Sequence, residues 1–157
     1  MKITHGTLVM VVDGAKMLLF RNEGDEKYPV LETVSHEERA DPATREQGSD
    51  RPGRSFASMG DRRSSYEETD WHEQGEERFA IHAAQILENA TSKLNAGIVV
   101  LAPPRTLGVL RKHWGRHTRS RLLAEIAKDF THRMTDDLLE AIAAEDAPSS
   151  SRHGVAR

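Results

Sequence analysis

The chain has 157 residues and a mass of 17.6 kDa, the size of one ordinary domain, whose single core can bury roughly 70% of the surface exposed on unfolding. Hydrophobic residues make up 37% and charged residues 30%, against about 45–50% (counting Gly) and about 25% in typical globular domains, so part of the chain is expected to lie outside the core. The absence of cysteine excludes disulfides, thiolate zinc sites and cysteine nucleophiles, while a net charge of −3 and a pI near 6.2 argue against a uniformly basic nucleic-acid coat and leave room for local basic clusters.

Met1 to Thr7 lacks the features of a secretion signal, and no apolar run approaches the roughly 18–20 residues of a spanning helix, so a cytoplasmic chain without membrane contact is expected. Thr7 to Val12 is a nearly continuous apolar run of strand length, Asp13-Gly14 a hairpin turn, and Ala15 to Arg21 a second strand. Asn22 to Asp25 is turn material, and Tyr28 to Ser35 reads as a third strand with Pro29 near its start. No Ile, Leu or Val occurs between Val34 and Ile81. That composition predicts either a locally disordered insertion or, as favoured here, a long functional loop over residues 36–69.

Phe79, Ala83, Ile86, Leu87, Ala90 and Leu94 then recur at helical spacing, with Asp70 and Glu73 placed as N-cap and capping-box partner and Gly97 as the stop. Ile98 to Ala102 is a short strand, and Pro103-Pro104 opens a helix from Arg105 to about His113. Leu122 to Thr131 is ambiguous in period and is assigned as a fifth strand by the flow of the chain. Thr135 is placed to cap a last helix from Asp136 to about Glu145, and residues 147–157 form a Ser-rich tail expected to be disordered. One domain over residues 1–146 results. Its expected fold class is α/β, a ribonuclease-H-like mixed sheet in the order β-β-β-α-β-α-β-α. In such a sheet Asp13, the 36–69 loop, His72, Pro103 to Arg105 and Lys128 to His132 all meet at the edge formed by the carboxyl ends of the first, third, fourth and fifth strands, where ligand sites gather.

Several segments carry a family resemblance. His5 with Leu8 to Ala15 and Leu19-Phe20, Gly48 to Phe56, Asp70 with His72-Glu73 and Glu77 to Ala80, Ala102 to Arg105 with Leu107-Gly108 and Leu110-Arg111, and Lys128-Asp129 with Thr131-His132 resemble the bacterial host attachment proteins. These are bacterial relatives of the middle domain of archaeal and eukaryotic peptide-release factors (baeRF-like). The resemblance spans roughly residues 5–143 and implies a ribonuclease-H-like fold and a role in translation near the ribosome. Release factors of this kind carry Gly-Gly-Gln on the loop before the long helix, which promotes hydrolysis of peptidyl-tRNA. Here Gln47 precedes Gly48 and Gln74 precedes Gly75, and no Gly-Gly pair occurs.

The expected phosphate- or RNA-binding residues are Ser49, Asp50, Arg51, Arg54, His72, Arg105, Lys128, Asp129 and His132, because guanidinium forks, loop amides and imidazoles suit phosphate oxygens. Residues 105–121 carry six Lys or Arg and no acid, an added cationic resource, although charged surfaces are also ordinary. His72 and His132 with Asp13, Asp50 and Asp129 form an inventory for acid–base or metal chemistry, and each has a plainer use in capping or packing. Trp71, Phe79 and Trp114 read as anchors of helices on the sheet. No cofactor or metal is expected, the partner is RNA or the ribosome, and nothing in the sequence sets an oligomeric state. Two other classes stay open: a hydrolase, acting on an ester or as a ribonuclease-H-like nuclease using metal held by Asp13, Asp129 and another carboxylate, and a non-enzymatic host-attachment or interaction protein.

Overall fold

The structure, a computed structural model, describes the backbone of residues 1–39 and 54–145 and the side chains of residues 1–39 and 72–145. Strands β1 (Leu8–Val12), β2 (Lys16–Asn22) and β3 (Leu31–Glu38) form an antiparallel meander, and β4 (Ile98–Leu101) and β5 (Leu122–Ile126) extend the sheet in parallel beyond β1. The strand order across the sheet is β3-β2-β1-β4-β5. Central β1 is buried along its whole length, which is why its sequence is continuously apolar rather than alternating.

Helices α1 (Arg54–Lys93) and α2 (Pro104–His113) cover one face, where Phe79, Ala80, Ala83, Ala84 and Leu87 of α1 and Leu107 and Leu110 of α2 pack with Trp114 on Leu8, Met10, Val12, Met17 and Leu19. The opposite face, Val9, Val11, Phe20, Val99, Leu101 and Ile126, is closed by Leu138 and Ile142 of α4 (Thr135–Ala144) with Ile3. Each such buried aliphatic side chain contributes about 1.5–3 kcal/mol, so β1 and β4 with their two helical covers hold most of the stability. Among the described residues no helix is long and apolar enough to cross a membrane.

Several expectations change. The loop set at residues 36–69 is shorter, because β3 runs on to Glu38 and helical backbone begins at Arg54. Lack of Ile, Leu and Val decides whether a helix is core, not whether it forms, and no proline follows Pro52 until Pro103. Asp70 and Glu73 therefore lie inside α1, not at its start. Tyr28 to Val30 belong to a turn rather than to β3: Asp25 Oδ1 accepts from the amides of Lys27 at 3.0 Å and Tyr28 at 2.7 Å, and Asn22 Oδ1 from those of Gly24 and Val30 at 2.9 Å.

The element order gains a short helix, α3 (Arg116–Arg121), between α2 and β5. Its single buried side chain, Thr118, gives no apolar period to detect. Finally, Met134 rather than Thr135 is the N-cap of α4, with no side-chain cap bond, and Asp136 and Asp137 in the first turn supply the negative charge that the helix dipole favours. The 147–157 tail lies outside the described residues.

Candidate functional site

The carboxyl ends of β1, β3, β4 and β5 share one edge of the sheet, hereafter the upper edge. The turn from β1 to β2 is held by Asp13: its amide donates to the Lys16 carbonyl at 2.9 Å, and its Oδ1 accepts from the amides of Ala15 and Lys16 at 2.8 Å each. Among the described residues only Gly6 has a positive φ, so this is not a mirror-image turn and Gly14 is not needed for its dihedrals. The second Asp13 oxygen, Oδ2, lies 2.8 Å from the Thr131 hydroxyl, which lies 2.7 Å from Asp129 Oδ1. Asp129 Oδ1 also accepts from the Thr131 amide at 3.0 Å. Thr131 is buried, and a hydroxyl has one proton, so it donates to one of the two carboxylates at a time. The segment after β5 is thus tied to the hairpin after β1.

A second set of contacts joins β3, the hairpin and α1. The Arg39 amide donates to the Ala15 carbonyl at 2.7 Å and its Nη1 to the Gly14 carbonyl at 3.3 Å. A Cβ on Gly75 would stand 2.5 Å from Arg39 Nη2, and one on Gly14 would stand 2.6 Å from Glu76 Cγ. Both glycines are therefore places where side chains of neighbouring elements pass close to backbone. Glu73 on α1 pairs with Arg105 on α2 at 3.4 Å, and Glu37 on β3 faces His82 on α1 at 3.4 Å. The edge carries both signs of charge.

Of the expected site residues, the structure brings Arg105, Lys128, Asp129 and His132 to this edge, and His72 lies in α1 one residue before Glu73. His72 is inside the helix, not at its start. His72, Lys128 and His132 make no side-chain hydrogen bond or ion pair among the described residues. Ser49, Asp50 and Arg51 lie outside the described residues, and Arg54 is described only as the first residue of the α1 backbone. Phe79 and Trp114 do anchor helices on the sheet, and Trp71 lies outside the described side chains. Asp13 and Asp129 meet at the same Thr131 hydroxyl; among the described residues no group of three or more His, Asp or Glu stands where it could hold a metal ion. Arg39 and Thr131 fall in segments expected at this edge, 36–69 and 128–132, though neither is among the expected contact residues; Glu76 joins it without being expected there from sequence. For Arg39 and Glu76 the available signal is the pair Gly14 and Gly75.

The cations of residues 105–121 divide between two ends of the molecule. Arg105 starts α2 at the upper edge, whereas α2 ends and α3 lies at the lower edge, since α3 runs straight into Leu122, the partner of the first β4 residue, Ile98. There Glu88 of α1 caps α3: its Oε2 accepts from the His117 amide at 3.1 Å and His117 Nδ1 at 2.7 Å, and its Oε1 from the Thr118 amide at 3.0 Å and hydroxyl at 2.9 Å. Desolvation pushes the Glu88 carboxyl up, but the His117 side chain, the Thr118 and His117 amides and the Thr118 hydroxyl together outweigh it and lower its pKa to about 2.

The family model for bacterial archaeo-eukaryotic release factor family 12 matches residues 6–142. No curated protein matches the chain.

Proposed function

Because the chain belongs to bacterial archaeo-eukaryotic release factor family 12, we propose that it is a release-factor-like domain that associates with RNA or the ribosome through the upper edge of its sheet and does not itself release peptides. The match, from before β1 into α4, carries this reading: it covers the whole sheet and both of its helical layers. The β3-β2-β1-β4-β5 order, antiparallel through β1 and parallel beyond it, supports reading the sheet as ribonuclease-H-like. Without a Gly-Gly pair the chain lacks the small, close-approaching triplet that places a catalytic glutamine in the peptidyl-transferase centre.

Arg105, exposed and held by a partly exposed Glu73, is the proposed phosphate contact on the described part of the edge, with Lys128, His72, Asp129 and His132 around it. Ser49, Asp50, Arg51 and Arg54 are the proposed contacts of the segment that enters α1. Solvated ion pairs of the Arg105–Glu73 kind are worth little, about 0–1 kcal/mol, so a phosphate can replace the carboxylate at small cost.

The test is co-sedimentation with ribosomal particles, with and without nuclease, over a range of salt. Arg51→Ala, Arg54→Ala and Arg105→Ala are expected to weaken association while changing stability by no more than about 0.5 kcal/mol. Association that is independent of salt and unchanged in all three variants refutes the reading.

A further inference from the structure

The lower corner of the molecule concentrates cations that the fold employs only in part. The last turn of α2 carries Arg111, Lys112 and His113, and α3 carries Arg116, Arg119 and Arg121, in a chain whose net charge is −3. Structural roles account for some of them. Arg111 Nε bonds Glu125 Oε1 at 2.7 Å; Arg119 Nε and Nη2 reach back to the carbonyls of Trp114 at 3.0 Å and Arg111 at 3.5 Å; Arg121 Nη1 holds the Thr91 carbonyl at 2.6 Å.

Two acids face the corner from the packed elements, and both are engaged: Glu125 by Arg111 and the Trp114 indole, and Glu88 by His117 and Thr118. Lys112 and Arg116 flank the Trp114–Gly115 turn, are exposed, and make no hydrogen bond or ion pair among the described residues. Arg119 folds back over the end of α2 and so links the cations of the two helices. None of the exposed large hydrophobic side chains belongs to α2 or α3, although Leu94 after α1 and Leu123 in β5 are exposed at the same lower edge, so the cationic helices themselves lack the apolar and aromatic anchors typical of protein interfaces.

We propose that this corner is a docking surface for the phosphate backbone of RNA, with Lys112, Arg116 and the free edges of Arg111 and Arg119 as its contacts, separate from the upper edge. A polyanion is the partner that a cationic, apolar-poor surface suits: guanidinium forks and an ammonium match successive phosphates, and affinity comes from counterion release rather than apolar burial. That the polyanion is RNA rests on the reading of the chain as a ribosome- or RNA-associated domain. With one phosphate-binding surface at each end of α2, which is about 15 Å long, the domain would bridge two backbone segments of a folded RNA.

The test uses the full chain and a fluorescein-labelled RNA hairpin, with binding followed by anisotropy as salt is raised. Lys112→Glu combined with Arg116→Glu breaks no hydrogen bond or ion pair of the fold, so it stays folded, its thermal transition lowered only by the loss of a cation from the last turn of α2 and the added negative charge near Glu88. Its affinity is expected to fall about ten-fold or more, with a salt slope shallower by about 2, one for each phosphate that the variant no longer neutralises. Lys112→Arg with Arg116→Lys is expected to bind nearly as the wild type does. Wild-type-like affinity and slope in the charge-reversed variant overturn this proposal while leaving RNA association intact. Failure of the wild type itself to bind overturns both. Competition by poly-glutamate as effective as competition by unlabelled RNA also overturns it, in favour of an acidic protein partner.

Discussion

Glu88 shows how one side chain can make an element that its own sequence does not announce. Six residues are too few for a helix to persist on intrinsic propensity, yet α3 forms because a carboxylate from α1 takes its first free amides and the Thr118 hydroxyl. Charged hydrogen bonds of this kind are each worth about 1.5–3 kcal/mol. Glu88→Gln keeps the shape and removes the charge, and is expected to lower stability by on the order of 2 kcal/mol, read from the thermal or urea midpoint. The pH dependence has a defined sign. The folded pKa of about 2 lies below the ordinary 4.5, so the stabilisation is complete above about pH 5 and is lost as pH falls through 4.5 toward 2. The gap between wild type and Glu88→Gln should close as pH falls from 5 toward 2; a gap that stays constant over that range would contradict the capping role.

At the level of elements, the upper edge is a junction: the β1–β2 hairpin meets α1 through Gly14 and Glu76, β3 through Arg39, and the segment after β5 through Asp13 and Thr131. A Cβ on Gly14 would approach both Glu76 Cγ at 2.6 Å and Glu76 Cβ at 3.1 Å, which are near the helix backbone and cannot swing away as a side-chain tip would. Gly14→Ala is therefore expected to destabilise by about 1–3 kcal/mol through overpacking. Adding Glu76→Ala should restore most of that loss, because the clash lies between those two groups, and a double-mutant cycle measures the coupling. Strictly additive effects would show that the turn, not the close approach, is what demands glycine.

For the whole molecule, the hydrolase reading meets an edge on which, among the described residues, no group of three or more His, Asp or Glu stands where it could hold a metal ion. Two-metal cleavage needs several carboxylates around ions about 3.5–4 Å apart. Asp13 already holds the hairpin amides with one oxygen and meets Thr131 with the other, and Arg39 and Arg105 lie on the same edge. The purified protein is accordingly expected to leave RNA, DNA and hybrid duplexes intact in Mg²⁺ or Mn²⁺. Cleavage that vanishes in Asp13→Asn would promote the hydrolase reading over the binding one.

Strands β1, β2 and β4, the apolar stripe of α1 and the proline start of α2 are legible in the sequence, because each is written in a local run of side chains whose spacing matches one backbone period. So is the family, through motifs spread from the first strand to the segment after the fifth. Where α1 begins is not legible, since residues 54–69 contain no Ile, Leu or Val whose period could mark it. Residues 28–30 close a turn onto residues 23–25 instead of opening β3, because the Asn22 carboxamide and Asp25 carboxylate capture amides of that stretch; the composition of the stretch does not mark this local contact. Tertiary contact sets the partners of Arg39, Glu76 and Glu88, which are distant in sequence from Gly75, Gly14 and Thr118 and are chosen by packing. The cations of residues 105–121, a single run in the chain, are parted by the length of α2 into two surfaces, because a helix carries its two ends to opposite edges of the sheet it covers.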